Sequence, residues 1–293
     1  MQMPRQAAVL GQPIGHSLSP VLHNAAYAAL GLAGWRYTAV DTSEAALPER
    51  IAALDETWAG LSLTMPLKQA VIPLLDEIDA VAEVTQAVNT VVVAEGRERL
   101  VLKGHNTDAL GLSQALLEVF FDEGSSDSET AIILGSGATA VSALVALADV
   151  DYPNTLVISR SYPETLLHTA SKLGLSPRHL ALDIGKPKQA AQAVEAMATA
   201  GVVVSTTPAH VADPLADGLL ALGAIGERCD GVLLDVVYDP RPTALSAAWA
   251  EAGGRVVGGE RMLLHQAARQ VELMTGLPAP LEAMDTALQN ALA

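Results

Sequence analysis

Short apolar runs rich in Val, Ile and Leu recur along the chain, bounded by Gly, Pro or small polar residues and separated by stretches of helical spacing. That alternation predicts an α/β fold of buried strands joined by helices. The pattern predicts a strand within 7–15, a helix after Pro20, a strand at 35–42, a helix at 44–57 and a strand at 59–64. Helices at 67–75 and 76–84 follow, then a strand at 87–93 with Asn89 inside it, a hairpin at 95–97, a return strand from 100 and a helix at 109–121. A polar stretch at 122–130 reads as a surface connection and a break in the chain's organisation. Beyond it lie strands at 131–134, 155–159, 179–182, 201–208, 231–240 and 255–257, with helices at 163–173, 187–199 and 243–252. The last stretch, 261–274 and 280–292, is helical and has no strand partner of its own.

The run ending at Leu134 is followed by Gly135, Ser136, Gly137, Ala138, Thr139 and Ala140 and then by an amphipathic helix. In this strand–turn–helix context, Gly135 permits the tight turn and Gly137 lets backbone approach a ligand. Ala140 allows the helix to pack on its strand. The backbone amides and dipole at the helix start favour a pyrophosphate. At the end of the next strand stand Ser159, Arg160 and Ser161, where NAD enzymes carry an acidic residue. An Arg beside two hydroxyls suits a 2′-phosphate, hence NADP, and Glu164 close by weakens that charge.

Composition narrows the classes. With 293 residues, 50% hydrophobic and 3% aromatic, the chain has room for two domains with aliphatic cores. A net charge of −16 argues against a general nucleic-acid or anionic-membrane face. Cys229 is the lone cysteine, which precludes an internal disulfide and fits a reducing cytoplasm. The N-terminus shows no signal-peptide pattern and no apolar run is long enough to span a bilayer. The seven His lack ligand-like spacing, so no metal is expected.

Several polar residues stand near strand or helix ends. Ser19 reads as an N-cap with Pro20 first in the helix, and Ser17 with Ser19 reads equally as a small anion site for a carboxylate. Lys68 reads either as a solvated charge or as a general acid/base at the carboxyl end of a strand. Asn89 fits a turn cap and Asp108 a helix N-cap.

Together, Gly11-Gln-Pro-Ile-Gly-His-Ser-Leu-Ser-Pro20, Leu63-Thr-Met-Pro-Leu-Lys68, Ala87-Val-Asn-Thr90, Asn106-Thr-Asp108, the Gly135 loop, Asp235-Val-Val-Tyr-Asp-Pro240 and the stretch from Gly259 to Gln266 resemble the shikimate dehydrogenase family over nearly the whole chain. The resemblance implies reversible reduction of 3-dehydroshikimate to shikimate with NADPH, on the route to aromatic amino acids. It implies Lys68 and Asp108 as a catalytic pair, Ser17 and Ser19 on the substrate carboxylate, and Thr64, Asn89, Asp108 and Gln266 on the ring hydroxyls with Tyr238 nearby. It further implies cofactor contacts from Gly135, Ser136, Gly137, Ala138, Thr139, Ser159, Arg160, Ser161, Thr206, Val236 and Gly259. The expected organisation is a substrate domain, 1–107 with 260–293, and a Rossmann-type doubly wound cofactor domain, 108–259, with a cleft that can close. A cytoplasmic monomer or homodimer is expected.

The sequence departs from the family's pattern at Ser62 (more often Asn), Leu67 (a bulky aromatic), Ser159-Arg160-Ser161 with Glu164 (the phosphate clamp), and Glu260-Arg261 (a small apolar pair). Arg261 fits either a cofactor contact or a solvated position. An NAD-dependent quinate/shikimate dehydrogenase is the nearest rival, and a non-catalytic sensor of shikimate-like ligands is the rival of another class.

Overall fold

A computed structural model of the protein describes residues 4–123, 128–224 and 228–293. The chain divides into one unit of Met1–Gly111 with Leu263–Ala293 and a second of Leu112–Met262.

The first unit runs β1 (Gln6–Gly11), α1 (Ser19–Ala29), β2 (Arg36–Asp41), α2 (Leu47–Ala52), β3 (Trp58–Leu63), α3 (Leu67–Ala70), a 3-10 turn (Ile72–Leu74), β4 (Glu77–Ile78), α4 (Ala80–Thr85), β5 (Thr90–Glu95), β6 (Leu100–His105) and the start of α5 (Asp108–Glu123). Its sheet has the order β2-β1-β3-β5-β6-β4. β1 pairs in parallel with β2 and β3, and β5 is antiparallel to β3 and β6. β1 is apolar on both faces because helices cover both. Ala8 and Leu10 pack with Leu61, Leu63, Leu47 and Leu67 on one side; Ala7 and Val9 pack with Tyr27, Ala59 and Met274 on the other.

The second unit is an all-parallel sheet: β7 (Thr130–Leu134), α6 (Ala138–Asp149), β8 (Asn154–Ser159), α7 (Glu164–Lys172), β9 (Arg178–Ala181), α8 (Pro187–Ala198), β10 (Val202–Ser205), α9 (Asp213–Ala224), β11 (Val232–Asp235), α10 (Ala244–Glu251) and β12 (Arg255–Gly258). The order β12-β11-β10-β7-β8-β9 makes it doubly wound. The direction of winding reverses between β7 and β10, where such sheets bind ligands outside the carboxyl ends of the strands. Ile133 and Val204 enter one core layer and Ile132 and Val203 the other, the period of two expected of strands buried on both faces.

α11 (Gly259–Thr275) and α12 (Leu281–Leu292) close the chain. The C-terminal helices find their partner in the first unit, where α12 packs on α1 and Met274 joins the Tyr27 cluster.

Several expected elements differ. The helix expected at 67–75 stops at Ala70 and continues only as the 3-10 turn containing Pro73, whose missing N–H cannot extend an α-helix. The helix expected at 76–84 starts later, at Ala80, because the Asp79 carboxylate caps it by accepting from the Ala82 N–H at 2.7 Å; Glu77–Ile78 pairs with β6 instead. α2 is shorter than the expected 44–57, beginning with Pro48 in its first turn. Asn89 directly precedes β5 rather than lying inside it. α9 was not expected; Gly218 and Gly223 dilute its apolar spacing. The polar connection expected at 122–130 lies, at 124–127, outside the described residues. Among the described residues no helix is long and apolar enough to cross a membrane.

Candidate active site

In the first unit the ends of β1, β3 and β6 and the start of β5 share one edge of the sheet. The Thr64 N–H donates to the Leu10 carbonyl, the Leu63 N–H to the Asn89 carbonyl, and the Asn89 N–H to the His105 carbonyl. Four chain segments therefore deliver Ser17, Thr64, Lys68, Asn89 and Asp108 to that edge. Leu67 is fully buried and anchors α3, which holds Lys68. Asn106, not Asp108, caps α5: its side-chain oxygen accepts from the Ala109 N–H at 3.2 Å. That leaves the Asp108 carboxylate for Lys68, whose Nζ stands 2.5 Å from Oδ2, with side-chain exposures of 15% and 2%. The ammonium thus keeps a small opening to the exterior while its partner is enclosed.

The second oxygen of Asp108 accepts from Asn89 Nδ2 at 2.7 Å. The same nitrogen lies 2.9 Å from Thr107 Oγ1 and 3.1 Å from Gln266 Oε1. An amide has two hydrogens for these three acceptors, so the most distant, Gln266 on α11, is the one a ligand hydroxyl replaces with least loss. The Thr107 N–H donates to Asn89 Oδ1 at 2.8 Å and so fixes which end of the amide faces Asp108.

The α1 end differs from the capping reading. Leu18 occupies the N-cap position in helical conformation with no side-chain cap, and Ser19 is the first helical residue. Its N–H is taken by Ser17 Oγ at 3.3 Å. Ser19 therefore does not cap the helix.

In the second unit Gly135 has φ +114°, and a Cβ there would strike Thr206 Oγ1. That hydroxyl donates to the Leu134 carbonyl at 2.7 Å, so Thr206 braces the turn from beneath. Gly137 is the N-cap of α6 with no side-chain cap, and a Cβ built on it meets nothing within 4 Å. The backbone therefore faces open space at a helix N-terminus, a fit for a pyrophosphate. Gly135, Ser136, Ser159, Arg160 and Ser161 line a cavity of about 460 Å³ whose apolar wall comes from Ile158, Leu182, Ile184 and Leu215. Ala138 and Thr139 form the first turn of α6.

After β11, Asp235 accepts from Thr243 Oγ1 at 2.7 Å and from the Val237 N–H at 3.3 Å; burial nevertheless pushes its carboxyl up from the ordinary range. This shapes the loop carrying Val236 and Tyr238. A Cβ on Gly259 would collide with the Val236 carbonyl, so α11 can begin against this loop only with glycine there.

Two family models match the chain: the shikimate dehydrogenase substrate binding domain over residues 9–91 and the shikimate 5′-dehydrogenase C-terminal domain over residues 259–289. The shikimate dehydrogenase (NADP(+)) of Moorella thermoacetica is 36% identical over 97% of this chain and 92% of its own. The chain belongs to the shikimate dehydrogenase family. The crystal structure of Mycobacterium tuberculosis shikimate dehydrogenase is similar to it with a TM-score of 0.82 and 40% identity, covering 98% of this chain and 100% of that one. A Corynebacterium glutamicum quinate dehydrogenase solved with NAD is similar with a TM-score of 0.80 and 26% identity, covering 98% and 99%.

The departures from the shikimate dehydrogenase pattern acquire structural roles. Ser62, at the usual Asn position, receives the Tyr37 hydroxyl proton at 2.6 Å and donates to Gln270 Oε1 at 2.8 Å. Ser159 is buried and turned inward, donating to the Ser161 carbonyl at 2.7 Å with His179 Nε2 at 3.1 Å. That leaves Arg160 and Ser161, both exposed, as the outward-facing residues at the end of β8. Among the described residues Glu164 forms no ion pair with Arg160. Arg261, half-buried, pairs its guanidinium with the Glu118 carboxylate at 2.8 and 2.5 Å.

Gln270, Thr90, Thr107 and His23 were missed in the sequence and are buried beside Asn89 and Ser62. Gln270 follows Gln266 by four residues on α11, one helical turn, which is the signal that marks both as facing the same way.

Proposed function

We propose that the protein catalyses the reversible reduction of 3-dehydroshikimate to shikimate with NADPH, in the route to aromatic amino acids. The observation that carries this reading is the enclosed Lys68–Asp108 pair, held by Asn89 at the same sheet edge as Ser17 and Thr64. Bound nicotinamide supplies hydride to the ring carbonyl carbon, or accepts it in the reverse direction. Lys68 donates a proton to the carbonyl oxygen as it becomes a hydroxyl and takes that proton back when shikimate is oxidised. Asp108 orients the ammonium and balances its charge.

The Ser17 and Ser19 hydroxyls hold the substrate carboxylate, and Thr64, Asn89, Asp108 and Gln266 hold the ring hydroxyls with Tyr238 beside them. In the cofactor domain, Gly135 to Thr139 receive the pyrophosphate while Thr206, Val236 and Gly259 shape its surroundings. Arg160 and Ser161 face the 2′-phosphate of NADP, with Ser159 behind them. The domain division follows the same reading: substrate binding in 1–107 with 260–293, cofactor binding in 108–259. The protein works in the cytoplasm as a monomer or homodimer, which size-exclusion chromatography with light scattering tests.

The inward-turned Ser159 keeps a second reading alive, an NAD-dependent enzyme that also oxidises quinate. Initial rates with shikimate and quinate, each with NADP and NAD, decide between them. Preference for shikimate with NADP supports the first reading and preference for NAD with quinate turnover supports the second. No turnover in any assay, with shikimate still bound, points to a ligand sensor.

A further inference from the structure

A buried hydrogen-bond path runs from α1 and β2 to the Lys68–Asp108 pair and passes through one side chain. Gln270 is 3% exposed and touches four polar groups. Its Oε1 accepts from Ser62 Oγ at 2.8 Å and lies 3.1 Å from His23 Nε2. Its Nε2 donates to Thr90 Oγ1 at 3.1 Å and to Thr107 Oγ1 at 3.3 Å. Thr90 Oγ1 in turn donates to Asn89 Oδ1 at 3.0 Å, and Asn89 Nδ2 donates to Asp108.

Donor counting gives this path a direction. The Tyr37 hydroxyl donates to Ser62 Oγ, so the one Ser62 proton goes to Gln270 Oε1 and fixes which end of that amide is oxygen. The amide nitrogen must then face the two threonines. Each hydroxyl carries one proton, and because Thr90 accepts from Gln270, its proton is directed to Asn89 Oδ1. Together with the Thr107 N–H, which donates to the same oxygen, that bond keeps the oxygen end of Asn89 away from Asp108 and its N–H on the carboxylate.

From this we infer that Gln270 is a positioning residue for the reaction, acting through Thr90 and Asn89 on Asp108. This rests on reading Lys68 and Asp108 as the reacting pair.

The test is a double-mutant cycle on shikimate oxidation with NADP, using Gln270→Met, Asn89→Ala and the pair, with thermal melting of each variant as the measure of folding. Gln270→Met is expected to lower kcat by about 10-fold or more, the cost of a misplaced catalytic group, while KM for NADP is unchanged. In the Asn89→Ala background the same substitution is expected to add nothing further to the kcat loss. A folded Gln270→Met protein with parental kcat overturns the inference, and so does an equal loss in both backgrounds, which is what a merely structural residue gives. If Gln270→Met does not fold, Ser62→Ala replaces it: it removes the anchor of the amide oxygen and should lower kcat in the parent but not beside Asn89→Ala. No loss in the parent, or an equal loss in both, overturns the inference by this route as well. Lys68→Ala is measured alongside. If Lys68→Ala retains kcat, the catalytic reading itself fails, whereas a Lys68 loss without a Gln270 effect removes only the role of Gln270.

Discussion

In the first unit the candidate chemistry rests on side chains: Lys68, Asp108, Asn89 and the buried amides and hydroxyls behind them, each within hydrogen-bond distance of the next. In the second unit the candidate cofactor surface is largely backbone, an uncapped helix start and a glycine turn with a hydroxyl brace under it. A side-chain site tolerates no change of functional group but is indifferent to backbone freedom. A backbone site is the reverse: many side chains can stand around it, and an added Cβ can close it. The two regions should therefore break under different substitutions.

The largest effect is expected at Lys68. Lys68→Ala should lower kcat by about 10²–10⁴ while shikimate still binds, the usual loss for a general acid/base; binding measured by calorimetry beside initial rates separates the two. An unchanged kcat would remove Lys68 from the chemistry.

In the second unit the glycines should divide into two kinds. Gly135→Val places a Cβ against Thr206 in a left-handed backbone, a strain of about 2–3 kcal/mol, and should lower Tm as well as raise KM for NADP. Gly137→Val has open space around it and an ordinary φ of −82°, so Tm should hold while KM for NADP rises. If both substitutions lower Tm equally, the open face at Gly137 is part of the core and not a ligand surface.

A pH experiment sharpens the comparison from the side-chain half. Burial holds the His23 imidazole down to about 4, against the hydrogen bond to Gln270, which works to raise it. An unfolded histidine takes a proton near about 6.5, whereas the folded one resists until about 4. Between those values the unfolded chain binds the extra proton. The stability present above about 6.5 is therefore lost progressively as pH falls, by about 3 kcal/mol once pH reaches about 4. Urea unfolding from pH 7 to 4 should show a shallower acid loss for His23→Asn than for the parent; equal slopes would mean that His23 is charged in the fold.

The smallest effect is expected at Arg160. Arg160→Ala should raise KM for NADP about 10-fold, the scale of one charge-assisted contact, and leave KM for NAD nearly unchanged. Equal changes for both cofactors would show that Arg160 does not read the 2′-phosphate.

The backbone half was the more legible of the two in the sequence. A strand, Gly135 and Gly137, and an apolar helix are adjacent in the chain, and their local spacing carries the geometry. Lys68 and Asp108 are separated by 40 residues, and nothing in either segment alone ties them together; the family resemblance did. Ser19 misled because its preference for caps is intrinsic, while the actual turn places Leu18 at the cap and gives the Ser19 N–H to Ser17. Gln270 and His23 escaped notice because a polar residue on an apolar helix face gains meaning only from its partners, which lie far away in the chain. The inward rotation of Ser159 depends likewise on His179 from a neighbouring strand.

The Thr206 hydroxyl bonded to the Leu134 carbonyl bears on binding thermodynamics. It joins the end of β10 to the residue just before the glycine turn, so that turn takes its shape during folding and not when a nucleotide arrives. The ordering entropy of the loop is then already lost in the free protein, and association need not supply it again. Thr206→Val, similar in shape but without the hydroxyl, keeps the Thr206 backbone N–H on the Leu134 carbonyl at 2.9 Å and should transfer part of that cost to the binding step, as a less favourable entropy of nucleotide association.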